Sequence, residues 1–425
     1  MTVDLAPPRG TADLYPPRSD AILGLEEAAH RLAHLYGYRY VETPAFEFTE
    51  LFSRTSGAGS DVVTKEMYTF EDKGGRSLTL RPEGTAPVVR LYLEHAHDLP
   101  SPWKAYYVEA NWRHGRPQTG RYREFRQFGV EVIGSDAASA DVEVIRVADG
   151  FLRGLGLSGF TLLLNSIGDE VCRPAYREAL VAYLRDHEGE LSEECRERID
   201  VNPLRTFDCK EESDRRVLRG APVISEHLCE ACAEHFASVR AGLDAAGIVH
   251  TLDPRLVRGL DYYTRTAFEF ASDALPPSQS GLGGGGRYDG LAEQLGGPRT
   301  PGIGFGMGLE RILLAMEGEG APMPPERAPR CFVVTLGEEA AAAGRTLVEE
   351  LRAGGVPTTA AFEERPLKSQ LRMADRAGAA FVAIVGERDL LEGTVTIKRL
   401  VDGVQKSIPR EEVAGRLARL DDGLE

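Results

Sequence analysis

From Trp112 to Gly134 the chain reads WRHGRPQTGRYREFRQFGVEVIG, and the second half of this stretch alternates with period two. Phe125, Gln127, Gly129 and Glu131 fall on one face of a predicted strand, and Arg126, Phe128, Val130 and Val132 fall on the other. A polar loop, His114 to Tyr122, is broken by Pro117 and Gly120 and makes the stretch a hairpin. A strand buried on one face keeps that face apolar. Here Phe125, Gln127 and Glu131 share a face with Arg113 on the partner strand, which suits the floor of a site for a small charged ligand.

The rest of the first half alternates between helical and strand patterns. Ile22, Leu25, Ala28, Ala29, Leu32 and Leu35 form a helical stripe over Asp20–Tyr36, with Ser19 or Asp20 as cap and Gly37 as terminator. A strand Tyr38–Thr43 follows, stopped by Pro44. The stretch Asp61–Glu71 leads to a turn at Lys73–Gly75, a strand Ser77–Leu80 and a helix from Ala86. Ala140–Gly154 reads as an amphipathic helix and Phe160–Ile167 as a buried strand. From Gly168 to about His250 the chain is helical, charged and without period-two alternation, as an inserted helical domain would be. Strand character returns over Leu256–Phe270 and Pro301–Met316, the latter running into a helix. The Pro/Gly segment Gly318–Pro329 is a linker. Beyond it, strands Cys331–Leu336, Val356–Phe362, Phe381–Gly386, Thr394–Leu400 and Gln405–Ile408 alternate with helices Glu338–Ala353, Leu367–Gly378 and Arg410–Leu420, predicting a mixed sheet with helices on both faces. The fold class is α/β (α+β). The expected domains are 1–168 with 250–324, an insertion at 169–249, and 330–425.

A chain of 425 residues, 42% hydrophobic and 27% charged, is an ordinary globular composition. No apolar run approaches the ~20 residues of a membrane span, and the first residues carry no signal-peptide pattern, so the expected compartment is the cytoplasm. The net charge of −16 argues against holding nucleic acid by overall attraction and leaves local basic patches. Lys368, Arg372 and Arg376 repeat at i, i+4, i+8 and make one such face, readable as a solvated face or as an RNA contact. Of six cysteines, Cys229 and Cys232 form a C-x-x-C flanked by His227 and His235, with Cys195 and Cys209 upstream. Zinc is conceivable there, but a second C-x-x-C is missing, and reduced free thiols are the expectation.

The chemistry-bearing residues are mostly arginines. Arg113, Arg116, Arg121, Arg123 and Arg126 crowd the hairpin, and guanidinium forks match phosphate and carboxylate oxygens in two places at once. Glu83 and Thr85 stand at a strand end before a helix, where the Glu83 carboxylate reads equally as a ligand contact or as a charge satisfying the helix N-terminus. Arg258 precedes Gly259. The run GLGGGG (Gly281–Gly286) reads as a close backbone approach to a ligand, with Arg287, Tyr288 and Asp289 at its edge, or as a flexible linker. Arg311, with Glu310, falls in the first turns of a helix, where phosphate is attracted.

Four stretches together carry a resemblance: the hairpin, LRPEGTAPVVR (Leu80–Arg90), LVRGLDYYTRT (Leu256–Thr266) and GIGFGMGLERI (Gly302–Ile312). They resemble class II aminoacyl-tRNA synthetases, specifically the histidyl-tRNA synthetase family, from about residue 9 onward. The resemblance implies an antiparallel-sheet catalytic domain and a C-terminal anticodon-binding domain. It implies ATP with Mg2+, L-histidine and histidine tRNA as partners, and a homodimer built on the helix and strand around residues 20–43. It also implies roles. Arg258 and Arg113 are catalytic. Glu83, Thr85, Arg113, Gln127, Glu131, Arg258, Tyr262 and Tyr263 bind histidine. Arg113, Arg121, Phe125 and Arg311 bind ATP. One departure stands out: the family's Arg-x-Glu is Arg113-His114-Gly115 here, which removes the carboxylate that meets the adenine amino group. The competing class is a regulatory, non-catalytic paralogue, which lacks the Arg-Gly-Leu-Asp-Tyr-Tyr run and the C-terminal domain.

Overall fold

The computed structural model describes residues 5–55, 65–209 and 211–419. Asp61–Thr64 and Leu420, the expected end of the last helix, lie outside them. The described chain forms two compact units, 1–325 and 326–425.

The first unit is built on an eight-stranded sheet. Its order is Arg39–Tyr40, Trp103–Trp112, Glu124–Ile133, Gly302–Gly308, Gly281–Arg287, Thr264–Ser272, Phe160–Ser166 and Thr251–Leu252. The six inner strands pair antiparallel, and only the two-residue edge strands are parallel to their neighbours. One face is apolar: Phe128, Val130, Val132, Ile303, Phe305, Met307, Phe268 and Phe270 are buried under helices that include Arg18–Leu35, Ala138–Gly154 and Leu309–Glu319.

The other face is where the sequence becomes unusual. In GIGFGMG every second residue is glycine, so Ile303, Phe305 and Met307 fill the core while Gly302, Gly304, Gly306 and Gly308 leave the opposite face bare. Register sets Gly304 beside Glu131 and Gly308 beside Gln127. A Cβ on Gly304 would stand 1.7 Å from the Glu131 carboxylate. The missing side chains make room for the polar face of the hairpin.

Several element limits differ from expectation for local reasons. The first helix begins at Arg18 with Pro17 as N-cap and no side-chain cap, because Ser19 N–H already donates to Tyr15 O (3.0 Å); Asp20 sits inside the first turn. The strand expected over Tyr38–Thr43 is confined to Arg39–Tyr40, and Thr43 is instead held by the buried Glu109 carboxylate (N–H to Oε1, 2.6 Å). The run Gly281–Arg287 is an inner strand, not a linker. Residues between the strands Phe160–Ser166 and Thr251–Leu252 form four α-helices, Arg173–Asp186, Glu193–Val201, Glu212–Leu218 and Glu230–Ala245. The first two share a core of Tyr176, Leu180, Leu184, Cys195 and Ile199 with Val217 and Leu218. Val239 and Leu243 of the last helix join the main core instead.

The second unit is a five-stranded mixed sheet. Cys331–Thr335 lies parallel to both Thr358–Ala360 and Phe381–Val385, and Thr394–Arg399 and Gln405–Pro409 add antiparallel strands. Helices Glu338–Ala353 and Arg410–Ala418 pack on one face and Leu367–Arg376 on the other. A short helix, Glu387–Glu392, occupies a stretch with no predicted element; Asp389 accepts from the Gly386 N–H (3.0 Å) at its start.

Because each unit has its own core, residues 326–425 expressed alone should give a cooperative thermal transition by circular dichroism. A featureless melt would show that the unit depends on the rest of the chain.

Candidate functional site

On the bare face lies a cavity of about 420 Å³, within the range of small-ligand sites. Glu83, Thr85, Arg113, Arg121, Phe125, Gln127, Arg258, Tyr262, Tyr263 and Arg311 all line it. Four guanidiniums therefore converge on one small space, each fixed differently.

Arg113 leaves the end of the strand Trp103–Trp112. Its Nε donates to Pro82 O (2.8 Å), and its guanidinium carbon lies 5.3 Å from the centre of the Phe125 ring. Burial pulls its pKa down, with Glu66 and Glu83 opposing. Arg121 is ion-paired to Glu66. Arg311, in the first turn of its helix, grips backbone carbonyls: Nε and Nη2 donate to Gly120 O (3.3 and 3.2 Å) and Nη1 to Gly281 O (2.6 Å). Arg258 pairs through Nη1 with Glu269 Oε2 (2.7 Å), and its Nε is buried with no hydrogen-bond partner. Burial acts against its charge, but Glu269 and Tyr263 more than offset this and leave its pKa raised. A Cβ on Gly284 would come within 2.8 Å of Arg258 Nη1, so the glycine strand makes room for this guanidinium too.

Glu83 and Glu131 lie among tyrosines. Glu83 accepts from Thr85 N–H (2.6 Å) and Ala86 N–H (3.0 Å), capping the helix Thr85–His95, and from Tyr262 OH (3.4 Å). It thus anchors the helix start while facing the cavity, so its two sequence readings coexist. Burial raises its pKa. Glu131 lies one layer deeper and does not line the cavity. Its Oε1 accepts from Thr85 OH (2.8 Å) and Tyr107 OH (3.3 Å), and its Oε2 accepts from Tyr288 OH (2.5 Å). Burial pushes its pKa up to about 8, with the Tyr288 and Thr85 hydroxyls pulling the other way. Gln127 is oriented by Asn111 Nδ2 (3.0 Å).

Some expected residues are elsewhere. Arg116 is exposed. Arg123 donates to Arg9 O and Gly115 O, and Arg126 pairs with Glu26 (3.1 Å) on the helical side of the sheet. Alternation already assigned Arg126 to that face. Arg287, expected at the cavity edge, is fully buried and bound to Asp141, Asp289 and the Ser135 and Ala137 carbonyls. Asp141 also receives His235 Nε2 (3.1 Å) from the helix Glu230–Ala245, so Arg287 ties three segments together and has no access to a ligand. Glu310 does line the cavity, and its carboxylate accepts from the Arg126 N–H (2.9 Å).

Two further carboxylates act on the site's arginines, Glu269 from the cavity wall and Glu66 from behind Arg121. Glu269 stands between the buried Phe268 and Phe270, and alternation alone puts it on the cavity face. Glu66 sits beside Gly115: a Cβ there would meet Arg121 Nε at 3.0 Å and Glu66 Oε1 at 3.3 Å. The space next to the missing motif carboxylate is filled by the Glu66–Arg121 pair.

Comparison with known proteins agrees over the whole chain. A family model described as Histidyl-tRNA synthetase matches residues 10–312, and one described as Anticodon binding domain matches 330–420. The chain is 47% identical over 414 residues to the histidine–tRNA ligase of Rhodococcus erythropolis, covering 97% of each. It is 49% identical over 403 residues to that of Moorella thermoacetica, covering 95% of each. The apo histidyl-tRNA synthetase of S. aureus superposes with a TM-score of 0.81 at 37% identity, covering 98% of this chain and 100% of that one. An ATP phosphoribosyltransferase regulatory subunit/histidyl-tRNA synthetase from Bacillus halodurans shares the fold at 23% identity, with a TM-score of 0.64.

Because the folded state holds a proton on Glu131 that the unfolded chain releases above about 4.5, stability of the ligand-free protein should fall as pH rises from about 4.5 to about 8. The slope from this one group is at most about 1.4 kcal/mol per pH unit. Glu131→Gln should flatten it. Denaturant titrations at pH 5.5, 6.5 and 7.5 read both, and an unchanged slope in the variant would assign the dependence elsewhere.

Proposed function

This chain belongs to the histidyl-tRNA synthetase family and ligates histidine to tRNA, and we propose that the cavity described above holds both substrates of the first step, L-histidine and ATP. The observation that carries this reading is the convergence of Arg113, Arg121, Arg258 and Arg311 with Glu83 on one cavity. That is the charge pattern of a zwitterionic amino acid beside a polyphosphate.

In that step a carboxylate oxygen of histidine attacks the α-phosphorus, the bond to the bridging oxygen breaks, and pyrophosphate leaves. In the next, the 3′-terminal ribose hydroxyl of histidine tRNA attacks the acyl carbon and AMP leaves. Charge grows on the α-phosphate in the first step, so positioning and electrostatics carry the catalysis. Arg113 spans the substrate carboxylate and the α-phosphate, and Arg258 faces the same phosphate from the other side. Phe125 stacks on adenine, while Arg121 and Arg311 hold the outer phosphates. Adenine is read without a glutamate at position 115, next to the Glu66–Arg121 pair. Mg2+ accompanies ATP and neutralises its phosphates. Glu269, which lines the cavity and pairs with Arg258 through Oε2, would be the carboxylate to hold such an ion, which would supply positive charge to the phosphates.

Glu83, oriented by Tyr262, takes the α-ammonium with Thr85 and Gln127. Tyr263 faces the imidazole from the cavity wall, and Glu131, one layer deeper, reads the ring when the substrate takes the place of the Thr85 or Tyr107 hydroxyl. Groups that pair both ring nitrogens reject analogues lacking them. An imidazole N–H brought against Glu131 favours its ionised form and draws its pKa back down. The exposed Lys368, Arg372 and Arg376 face offers phosphate contacts for tRNA on a protein whose net charge is −16. A two-fold homodimer covers the exposed Phe46, Phe48 and Phe70. No helix among the described residues is long and apolar enough to cross a membrane, and the cytoplasm, where tRNA is charged, is the working compartment. The regulatory alternative is disfavoured by the Arg258–Glu269 pair in the cavity and by the second unit.

Histidine-dependent exchange of pyrophosphate into ATP tests the reading, and its absence would leave the regulatory alternative. In the same assay Glu131→Gln should weaken histidine binding by about 1.5–3 kcal/mol, the scale of a charged hydrogen bond. The KM for ATP should hold. An unchanged histidine KM would take Glu131 out of imidazole recognition.

A further inference from the structure

The C-x-x-C at Cys229 and Cys232 has a partner of equal spacing. Asp169-Glu-Val-Cys172 is the same motif with a carboxylate for its first thiol. The fold brings the two halves together: Asp169, Cys172, Cys229 and Cys232 each offer one ligand atom, and the four atoms all lie within 4.8 Å of one another. Cys172 Sγ is 3.4 Å and Cys229 Sγ 3.9 Å from Asp169 Oδ1. A tetrahedron with zinc–sulfur bonds of ~2.3 Å has edges of ~3.8 Å, so closing the four atoms on an ion takes side-chain shifts of about 1 Å or less. We propose that these four residues form a structural Zn2+ site that fastens the helical insertion to the catalytic sheet.

The surroundings match what a thiolate-rich zinc site requires. Three thiolates and a carboxylate leave the complex at −2, and two guanidiniums stand against it. Arg265 Nη2 lies 3.5 Å from Asp169 Oδ2, and Arg173 directly follows Cys172. The Cys229 N–H donates to Cys172 Sγ (3.2 Å), and the Val171 N–H donates to Asp169 Oδ1 (3.0 Å), orienting two of the ligands. Cys172, Cys232 and Asp169 are buried and Cys229 is half-buried. Four protein ligands close the coordination shell, which is the arrangement of a structural rather than a catalytic ion. The other sulfur cluster among the described residues, Cys195, Cys209 and Asp214, brings together three ligand atoms, not four.

Position in the chain gives the ion its work. Asp169 and Cys172 stand where the chain leaves the sheet, before the helix Arg173–Asp186. Cys229 caps the helix Glu230–Ala245, which returns it, and Cys232 lies in that helix's first turn. Arg173 then reaches back, donating to Ile167 O (3.1 Å) and to the carbonyl of Tyr263, a residue of the cavity. The ion would pin both ends of the insertion next to the histidine end of the site.

The test uses the full chain purified without chelator, with metal content read by mass spectrometry. About one zinc per chain is expected, for one closed four-ligand site. Cys232→Ser and the half-buried Cys229→Ser should lose it, Asp169→Cys should keep it, and Cys209→Ser should leave it unchanged. Dipicolinate should lower the melting temperature of the native chain and not that of a properly folded Cys229→Ser. Adding Co2+ to the stripped protein should give a thiolate-to-cobalt charge-transfer band, absent in Cys229→Ser. A native chain that holds no zinc and gives no such band would overturn the proposal. So would zinc retained in both Cys229→Ser and Cys232→Ser, or zinc lost in Cys209→Ser.

Discussion

Four guanidiniums facing a cavity of about 420 Å³ are the constraint around which the first unit is built. Two unit charges ~8 Å apart repel by ~2 kcal/mol at an effective dielectric constant of 20. The fold offsets this locally. Glu66 pairs with Arg121 and Glu269 with Arg258, while backbone carbonyls of Pro82, Gly120 and Gly281 hold Arg113 and Arg311. What remains is an excess of oriented N–H groups in a buried place, matched by phosphate and carboxylate oxygens. The glycine-rich strands follow from the same requirement, since side chains on Gly284 or Gly304 would collide with Arg258 or Glu131.

Rigidity comes from beneath. Arg287 sits at 0% exposure between Asp141 and Asp289, and His235 of the insertion joins the same aspartate. Removing one partner of such a buried network leaves an uncompensated charge, which costs far more than the network contributes when intact. The insertion is thus tied to the sheet at His235 and, through Arg173, at the carbonyl of Tyr263. Its last helix lies partly in the main core. The insertion and the cavity wall thus share a frame.

Much of this was legible in the sequence, for physical reasons. The hairpin declared itself because polar residues on an inward strand face break a strong rule. The helix Glu338–Ala353 and the strand Ser77–Leu80 were bounded by clear stop signals and fall where expected. Glu83, Arg258 and Tyr263 were found through the motifs of a known family, since periodicity says nothing of their chemistry. The burial of Arg287 cannot be read locally, because its ion pair is with a residue 146 positions away. Glu269 was within reach of simple alternation. The partner of Cys229 and Cys232 escaped because an aspartate in a D-x-x-C does not look like a ligand until the fold sets it beside three sulfurs.

In the proposed reaction Arg258 acts on charge that develops at the α-phosphate. Its buried, unpartnered Nε and its Nη1 bond to Glu269 leave donors to spare. The direct measurement is single-turnover adenylation against single-turnover transfer from pre-formed histidyl-adenylate to tRNA, for Arg258→Ala, with thermal melting alongside. The account predicts a loss of ~10²–10³-fold or more in adenylation, a far smaller loss in transfer, and a melting temperature near that of the native chain. Equal losses in the two steps, or a collapsed melting temperature, would contradict it.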